Sequence, residues 1–223
     1  MPPEPKFFVL HEEARGPYDT GCMQVDSVEY GEMPRCPRCG KHVGLRPLVP
    51  PIKMDLEIRG QGPGDYAKPP GSSALVSERF VDAFRAEKLT GVLSFEPVEI
   101  ANVVRKIETG SFDPLPPYFL MEVCLGRAAV DESRSRLRRA SPVDCPECRR
   151  TDVDGIYGFK IEPGTWEGED ISRPRGLQTE FLASERLAKL MKDRAFTNVK
   201  LTPIERYWWD PRRRGPPSSD SLA

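Results

Sequence analysis

Cys36-Pro37-Arg38-Cys39-Gly40 and Cys145-Pro146-Glu147-Cys148-Arg149 take up four of the six cysteines in this chain. Each is a CPxC turn, in which two thiolates two residues apart can point at one metal ion. A glycine after the second cysteine, as at Gly40, adopts a left-handed backbone conformation at little cost. Two such turns complete a tetrahedral shell of four sulfurs, the arrangement of a closed structural zinc site. Zinc ribbons usually separate their two turns by about 15–20 residues. Here 105 residues lie between Cys39 and Cys145. Local geometry cannot close that gap, so the fold of the whole chain must bring the pairs together.

Dithiol redox chemistry also uses CPxC, but at a helix N-terminus, where the first thiolate is stabilised. Neither motif opens a helical pattern, since Gly40-Lys41-His42-Val43-Gly44 follows the first and Arg149-Arg150-Thr151-Asp152 the second. A catalytic zinc keeps one coordination position open, usually beside a His or Glu. His11 and His42 are the only histidines, and four cysteines leave His42 no ligand position to fill. Structural Zn2+ held by Cys36, Cys39, Cys145 and Cys148 is therefore the expected cofactor, with redox and catalytic metal as the alternatives. The chain has no nucleophile elbow, Walker loop, dinucleotide fingerprint or HExxH motif, and is expected not to be an enzyme.

The wide cysteine spacing becomes intelligible because the chain resembles itself. Val76-Ser77-Glu78-Arg79-Phe80-Val81-Asp82-Ala83-Phe84 aligns without gaps on Ala183-Ser184-Glu185-Arg186-Leu187-Ala188-Lys189-Leu190-Met191, an offset of 107 residues. The match continues from Leu89-Thr90-Gly91-Val92 onto Phe196-Thr197-Asn198-Val199, and the CPxC motifs are offset by 109. Such recurrence in order points to duplication of a half-domain; a chance match of two amphipathic helices is the alternative. Both helices carry a Ser N-cap, a Glu facing the positive end of the dipole, and an apolar stripe. They are expected over Ser77 to Lys88 and Ser184 to about Arg194. Catalysis by the Ser-Glu-Arg triplets is a weaker reading than capping.

Strands are expected at Phe7–Leu10, Met23–Val28, Ile52–Ile58, Val92–Ile100, Tyr118–Leu125, Ile156–Ile161 and Val199–Tyr207, on apolar alternation or continuous apolar runs. Cys124 is read as a buried cysteine inside its strand and Cys22 as a loop thiol. The expected fold class is α+β: two related half-domains, each with strands and one Ser-Glu-Arg helix, joined by the four-cysteine zinc-knuckle site. Residues 1–209 would form one zinc-linked domain of two pseudo-repeats, about 1–112 and 113–209, with a disordered tail over 210–223. Twenty-four prolines, clustered between elements, mark long connections.

Hydrophobic residues make up 38% and charged residues 30%, a globular composition, and no apolar run is long enough to span a membrane. The start, Met1 to Lys6, lacks the regions of a signal peptide, so the expected location is cytoplasmic, where thiols stay reduced. A net charge of −1 gives no global steering toward nucleic acid or anionic lipid. Two local patches could bind. Arg134, Arg136 and Arg138 would share one face of a strand beside the second knuckle, suited to phosphates or simply solvated. Trp166 with Glu167, Glu169 and Asp170 forms an acidic aromatic loop that could anchor a basic protein partner, or the indole could fold inward.

The paired CPxC motifs, the Pro116-Pro117-Tyr118-Phe119-Leu120 strand entry, the Glu162-to-Asp170 loop and the closing Ser184-Glu185-Arg186 with Phe196-Thr197-Asn198-Val199 resemble the myxobacterial double-CxxCG motif proteins. That family includes cytoplasmic immunity proteins for swarming-inhibition lipoprotein toxins. The resemblance runs from about Phe7 to Trp209 and is strongest in the second half, with one departure: Arg149 stands where the second motif would have Gly, so that turn should be made differently. It implies a zinc-binding, non-catalytic protein that neutralises a cognate toxin. A zinc-knuckle nucleic-acid binder is the alternative, and a thiol redox regulator a third.

Overall fold

A computed structural model of the chain describes residues 5–25, 29–44, 46–69, 73–106 and 114–217. In chain order the elements are β1 (Phe7–Glu12), β2 (Thr20–Gln24), β3 (Ile52–Ile58), β4 (Tyr66–Ala67), β5 (Ala74–Ser77), α1 (Glu78–Ala86), β6 (Val92–Arg105) and β7 (Tyr118–Val123). They continue with β8 (Leu125–Ala129), β9 (Leu137–Arg139), β10 (Val153–Tyr157), β11 (Ile171–Arg175), β12 (Phe181–Ser184), α2 (Glu185–Asp193), β13 (Val199–Pro203) and β14 (Trp208–Trp209). The fold is α+β and mostly strand, as expected. A six-stranded sheet has the order β2-β3-β6-β7-β5-β4, a five-stranded sheet β13-β1-β12-β11-β8, and a small one β14-β10-β9.

Both helices form for the reasons legible in the sequence. Ser77 and Ser184 are N-caps whose hydroxyls accept from the amides of Phe80 and Leu187, and each first turn carries its Glu. Phe80 and Phe84 on α1, and Leu187 and Met191 on α2, are buried in one core with Tyr66, Met121, Ile171 and Phe181. Beyond each helix the backbone enters the left-handed region twice, at Lys88 and Gly91 and again at Ala195 and Asn198. Gly91 has no alternative, because a Cβ there would lie 1.7 Å from the Ile171 carbonyl oxygen.

Two buried carboxylates organise these units. Asp65 accepts from the Ser77 hydroxyl at 2.7 Å, from Arg79 Nε at 3.1 Å, and from the Thr197 amide and hydroxyl at 2.8 and 2.9 Å. Asp170 accepts from the Ser184 hydroxyl at 2.8 Å, from Arg186 at 2.9 Å, and from the Thr90 amide and hydroxyl at 3.0 and 3.3 Å. Each aspartate thus takes its serine and arginine from the helix that follows it, and its threonine from the turn after the other helix. The arginines repeat the exchange: Arg79 donates to the Arg194 carbonyl at the end of α2, and Arg186 to the Glu87 carbonyl at the end of α1.

The strands exchange as well. β7 lies between β5 and β6, with Tyr118 opposite Ser77 and Phe119 opposite Pro97. β1 lies between β12 and β13, with Phe7 opposite Ser184 and Phe8 opposite Pro203. A boundary near 112, which falls among residues outside those described, therefore separates each of these strands from the sheet it completes. Placement of β1 with β12 and β13 could not be foreseen from strand patterns alone.

Other expectations need local correction. The Met23 strand is instead β2, starting at Thr20, and Asp26 to Val28 lie outside the described residues. Cys22 is therefore a buried strand residue, not a loop thiol, and burial pushes its thiol up to about 12. The run from Tyr118 breaks at Cys124, which is only half-buried, because the chain leaves one sheet there and enters the other as β8. The Val199 strand ends at Pro203, where a 3-10 turn over Ile204–Arg206 begins, and the strand expected over Ile156–Ile161 turns away at Gly158 (φ 91°). Residues 210–217 lie against β9 and β10: Asp210 accepts from the amides of Arg214 and Gly215, and Arg138 donates to the Gly215 carbonyl at 2.8 Å.

Replacing Asp170 by Ala strands the buried Ser184 hydroxyl and removes the partner of Arg186 and Thr90, and is expected to cost about 2–4 kcal/mol. Asp65→Ala should cost a similar amount because its partner set matches; a loss below about 0.5 kcal/mol in urea unfolding for either would contradict this account. Burial opposes the Asp65 charge, but Arg79, Thr197 and Ser77 overcome it and hold the carboxyl below the usual range. The native state then binds fewer protons than the unfolded state, so this stabilisation is present above about pH 4 and lost as pH falls through the native pKa. Asp65→Asn should accordingly flatten the acid limb of the stability profile.

Candidate metal centre

The two CPxC turns meet. The sulfurs of Cys36, Cys39, Cys145 and Cys148 all lie within 4.8 Å of one another. Cys36 Sγ stands 3.9 Å from Cys145 Sγ, and Cys39 Sγ 3.7 Å from Cys148 Sγ. Four sulfurs at about 2.3 Å from a tetrahedral ion are separated by about 3.8 Å, so the edges measured here fit such a shell, whereas a disulfide would need about 2.05 Å. Cys36, Cys145 and Cys148 are buried with Val43 in a small cluster of their own, and Cys39 faces solvent.

Local backbone makes each pair of ligands converge. The Gly40 amide donates to the Cys36 carbonyl at 2.9 Å, and the Arg149 amide to the Cys145 carbonyl at the same distance. Gly40 sits at φ 71° and Arg149 at φ 53°. The departure from Gly at the second motif therefore does not change the turn: Arg149 adopts the left-handed conformation itself. Its side chain donates to the Val130 carbonyl at 2.9 Å and pairs with Glu162.

A cation would balance four thiolates placed this close together. Backbone amides of Cys148 and Glu147 act against burial to bring the Cys145 thiol down to about 7, while burial pushes Cys148 up to about 12. Four thiolates this close repel one another unless a cation lies between them, and metal binding deprotonates thiols that burial would otherwise keep neutral. The donor set is all sulfur, which suits Zn2+ and disfavours Mg2+ or Ca2+.

Residues that hold the knuckles in place gave no local sequence signal. Lys41, after the first knuckle, pairs with Asp144, before the second, at 2.6 Å. Arg150 donates to the His42 carbonyl, Gln178 to the Cys148 carbonyl at 2.5 Å, and Arg175 to the Glu147 carbonyl at 3.2 Å. His42 stays outside the group of four sulfurs.

The other candidate residues are distributed differently from the expectation. Arg134 lies in a turn near Asp131, Arg136 donates to the Tyr157 carbonyl at 3.0 Å, and Arg138 on β9 is bonded to the chain at 215 and 216. They do not share a strand face. Trp166 packs edge-on against Phe7 with ring centroids 5.2 Å apart, and its indole N–H donates to the Glu169 carbonyl at 3.0 Å. Glu167 is exposed and Glu169 half-buried. Asp170 is 1% exposed and belongs to the interior contacts of α2, so it is not a surface group for a partner.

A model of an immunity protein family (Imm11) matches residues 47–206, about seven-tenths of the chain. The matched segment holds the second knuckle and both helices and begins after Cys39. No curated protein matches the chain. Among the described residues no helix is long and apolar enough to cross a membrane.

At Gly40 no atom lies within 4 Å of an added Cβ, so Gly40→Ala isolates the cost of the left-handed backbone. Chemical unfolding should show a loss of about 1–2 kcal/mol. An unchanged midpoint would mean that the first turn does not hold this conformation in solution.

Proposed function

The chain belongs to the immunity protein family Imm11, and from that premise we propose that it is a toxin-neutralising protein that binds a cognate protein toxin and masks its active surface. The family match is the observation that carries this reading. It points to a non-enzymatic role, and nothing in the mechanism requires a reacting group: a rigid scaffold presents a surface. Zn2+ is the proposed metal, bound by Cys36, Cys39, Cys145 and Cys148 in a structural role, supported by the all-sulfur donor set and the fit of the sulfur separations. The cytoplasm, where thiolates stay reduced, is the proposed compartment.

The two parts of the chain are proposed to be copies of one ancestral unit. Support comes from the matching aspartate, serine, arginine and threonine contacts, from the equivalent left-handed positions, and from the equivalent registers of β1 and β7. In this reading each copy donates its first strand to the other's sheet. The nucleic-acid alternative finds less support, since Arg136 and Arg138 are engaged with backbone carbonyls. Of the loop expected to meet the toxin, Glu167 is exposed and pairs with Arg127 at 3.6 Å, and the Glu169 carboxylate accepts from the amides of Arg127 and Glu167.

Native mass spectrometry should find one zinc ion per chain, lost in Cys145→Ser with a drop in stability of several kcal/mol; metal-free protein with an unchanged melting temperature would refute the zinc assignment. Co-expression with a cognate toxin should restore growth and yield a co-purifying complex. Absence of protection, together with salt-steep binding to RNA or DNA, would overturn the immunity reading in favour of the alternative.

A further inference from the structure

A cleft runs between the metal centre and the C-terminal segment. Val43 and Gly44 beside the first knuckle form one wall, Arg150 and Asp152 after the second another, and Glu180 and Trp209 close it. Five separate stretches of chain meet there, so the cleft exists only once both knuckles are joined. Trp209 lies on β14, which pairs with β10 alone among the described strands, and it remains 40% exposed.

The charges in this cleft are unevenly satisfied. Arg150 is taken up by the His42 carbonyl, and Arg212 pairs with Asp154 at 3.4 Å. Asp152 is exposed and Glu180 half-buried, and among the described residues neither makes an ion pair. Glu180 accepts only from neutral donors, the Tyr207 hydroxyl at 2.9 Å and the Thr179 hydroxyl at 3.3 Å. Arg150 has no carboxylate of its own, so Asp152, Asp154 and Glu180 against Arg150 and Arg212 leave one net negative charge beside a partly exposed indole. A guanidinium or ammonium group can lie over the indole and accept both carboxylates as partners.

We infer that this cleft seats an arginine or lysine side chain of the partner protein, with Trp209, Asp152 and Glu180 as its anchors. The inference rests on the reading of the chain as a toxin-binding protein and specifies the surface used. It places the contact away from the Trp166 loop, whose indole is already packed on Phe7 and hydrogen-bonded to Glu169. Buried aromatic anchors paired with a cation are the usual energetic centre of such interfaces.

The test uses the full zinc-loaded chain and two short blocked peptides, acetyl-Gly-Arg-Gly-amide and acetyl-Gly-Glu-Gly-amide, followed by NMR at the Trp209 indole. The arginine peptide should give a saturable shift, weakened at least tenfold by Asp152→Asn and by Trp209→Ala but largely kept by Trp209→Phe, which retains a π face. The glutamate peptide should not bind. No saturable shift, equal binding by both peptides, or undiminished binding by Asp152→Asn would overturn the inference. In cells, Asp152→Asn and Trp209→Ala should lose protection against the toxin while Asp82→Lys, on the exposed face of α1, keeps it. Full protection by both cleft variants would overturn the cleft as the partner surface. If the wild type itself gives no protection, the immunity reading fails, and the peptide titration still decides whether the cleft takes a cation.

Discussion

Asp65 and Asp170 are the points on which the architecture turns. A buried carboxylate is tolerable only when every lone pair is met by a donor, and each of these two is met from both sides of the molecule. The serine that caps a helix, the arginine two residues on, and the threonine from beyond the opposite helix all converge on one carboxyl group. Because each threonine comes from across the structure, neither aspartate can be satisfied until α1 and α2 are both in place. Helix capping, which is normally a local matter, is here tied to long-range assembly. Phe80 packing against Phe196, with centroids 5.2 Å apart, puts apolar contact behind the same junction.

The sulfur cluster imposes the same dependence at another place. Each CPxC turn offers two ligands, which is half a tetrahedral shell. Completing it draws together segments more than a hundred residues apart, and the Lys41–Asp144 pair lies across that seam. The exposed pair adds little by itself. Hydrogen bonds from Gln178 and Arg175 to knuckle carbonyls link the second turn to the five-stranded sheet and the connection that follows β11. The sulfur cluster, carboxylate pairing and strand insertion thus act on the same two parts of the chain.

What could be read from the sequence divides along physical lines. The CPxC pairs and the Ser-Glu-Arg helices were legible because their chemistry is encoded within a few residues: ligand spacing, a cap, an apolar stripe. Alternation at Ile52–Ile58 likewise gave a strand with every second residue buried. Asp65 and Asp170 sit in connections with no local pattern, and their partners are set by tertiary approach. Strand exchange was hidden for the same reason, since Phe7–Leu10 announces a strand without naming its neighbours. The arginine patch misled because 134, 136 and 138 suggest a continuous strand, whereas β9 begins only at Leu137. Trp166 could not be placed by composition, because its fate depends on Phe7, far away in the chain.

Insertion of β1 has a consequence for the order of events during synthesis. Phe7–Glu12 is made well before the strands on either side of it, β12 and β13, which end at Ser184 and Pro203. That segment therefore waits for its sheet partners while the elements from β2 to β13 are made. At about 5–20 residues per second that wait lasts on the order of ten seconds or more. Sheets closed by such distant pairings also assemble slowly, because the loop-closure entropy is lost before the contacts form. The five-stranded sheet can therefore close only late, whereas every strand of the six-stranded sheet is made by Val123, and the waiting β1 segment is a natural client for chaperones.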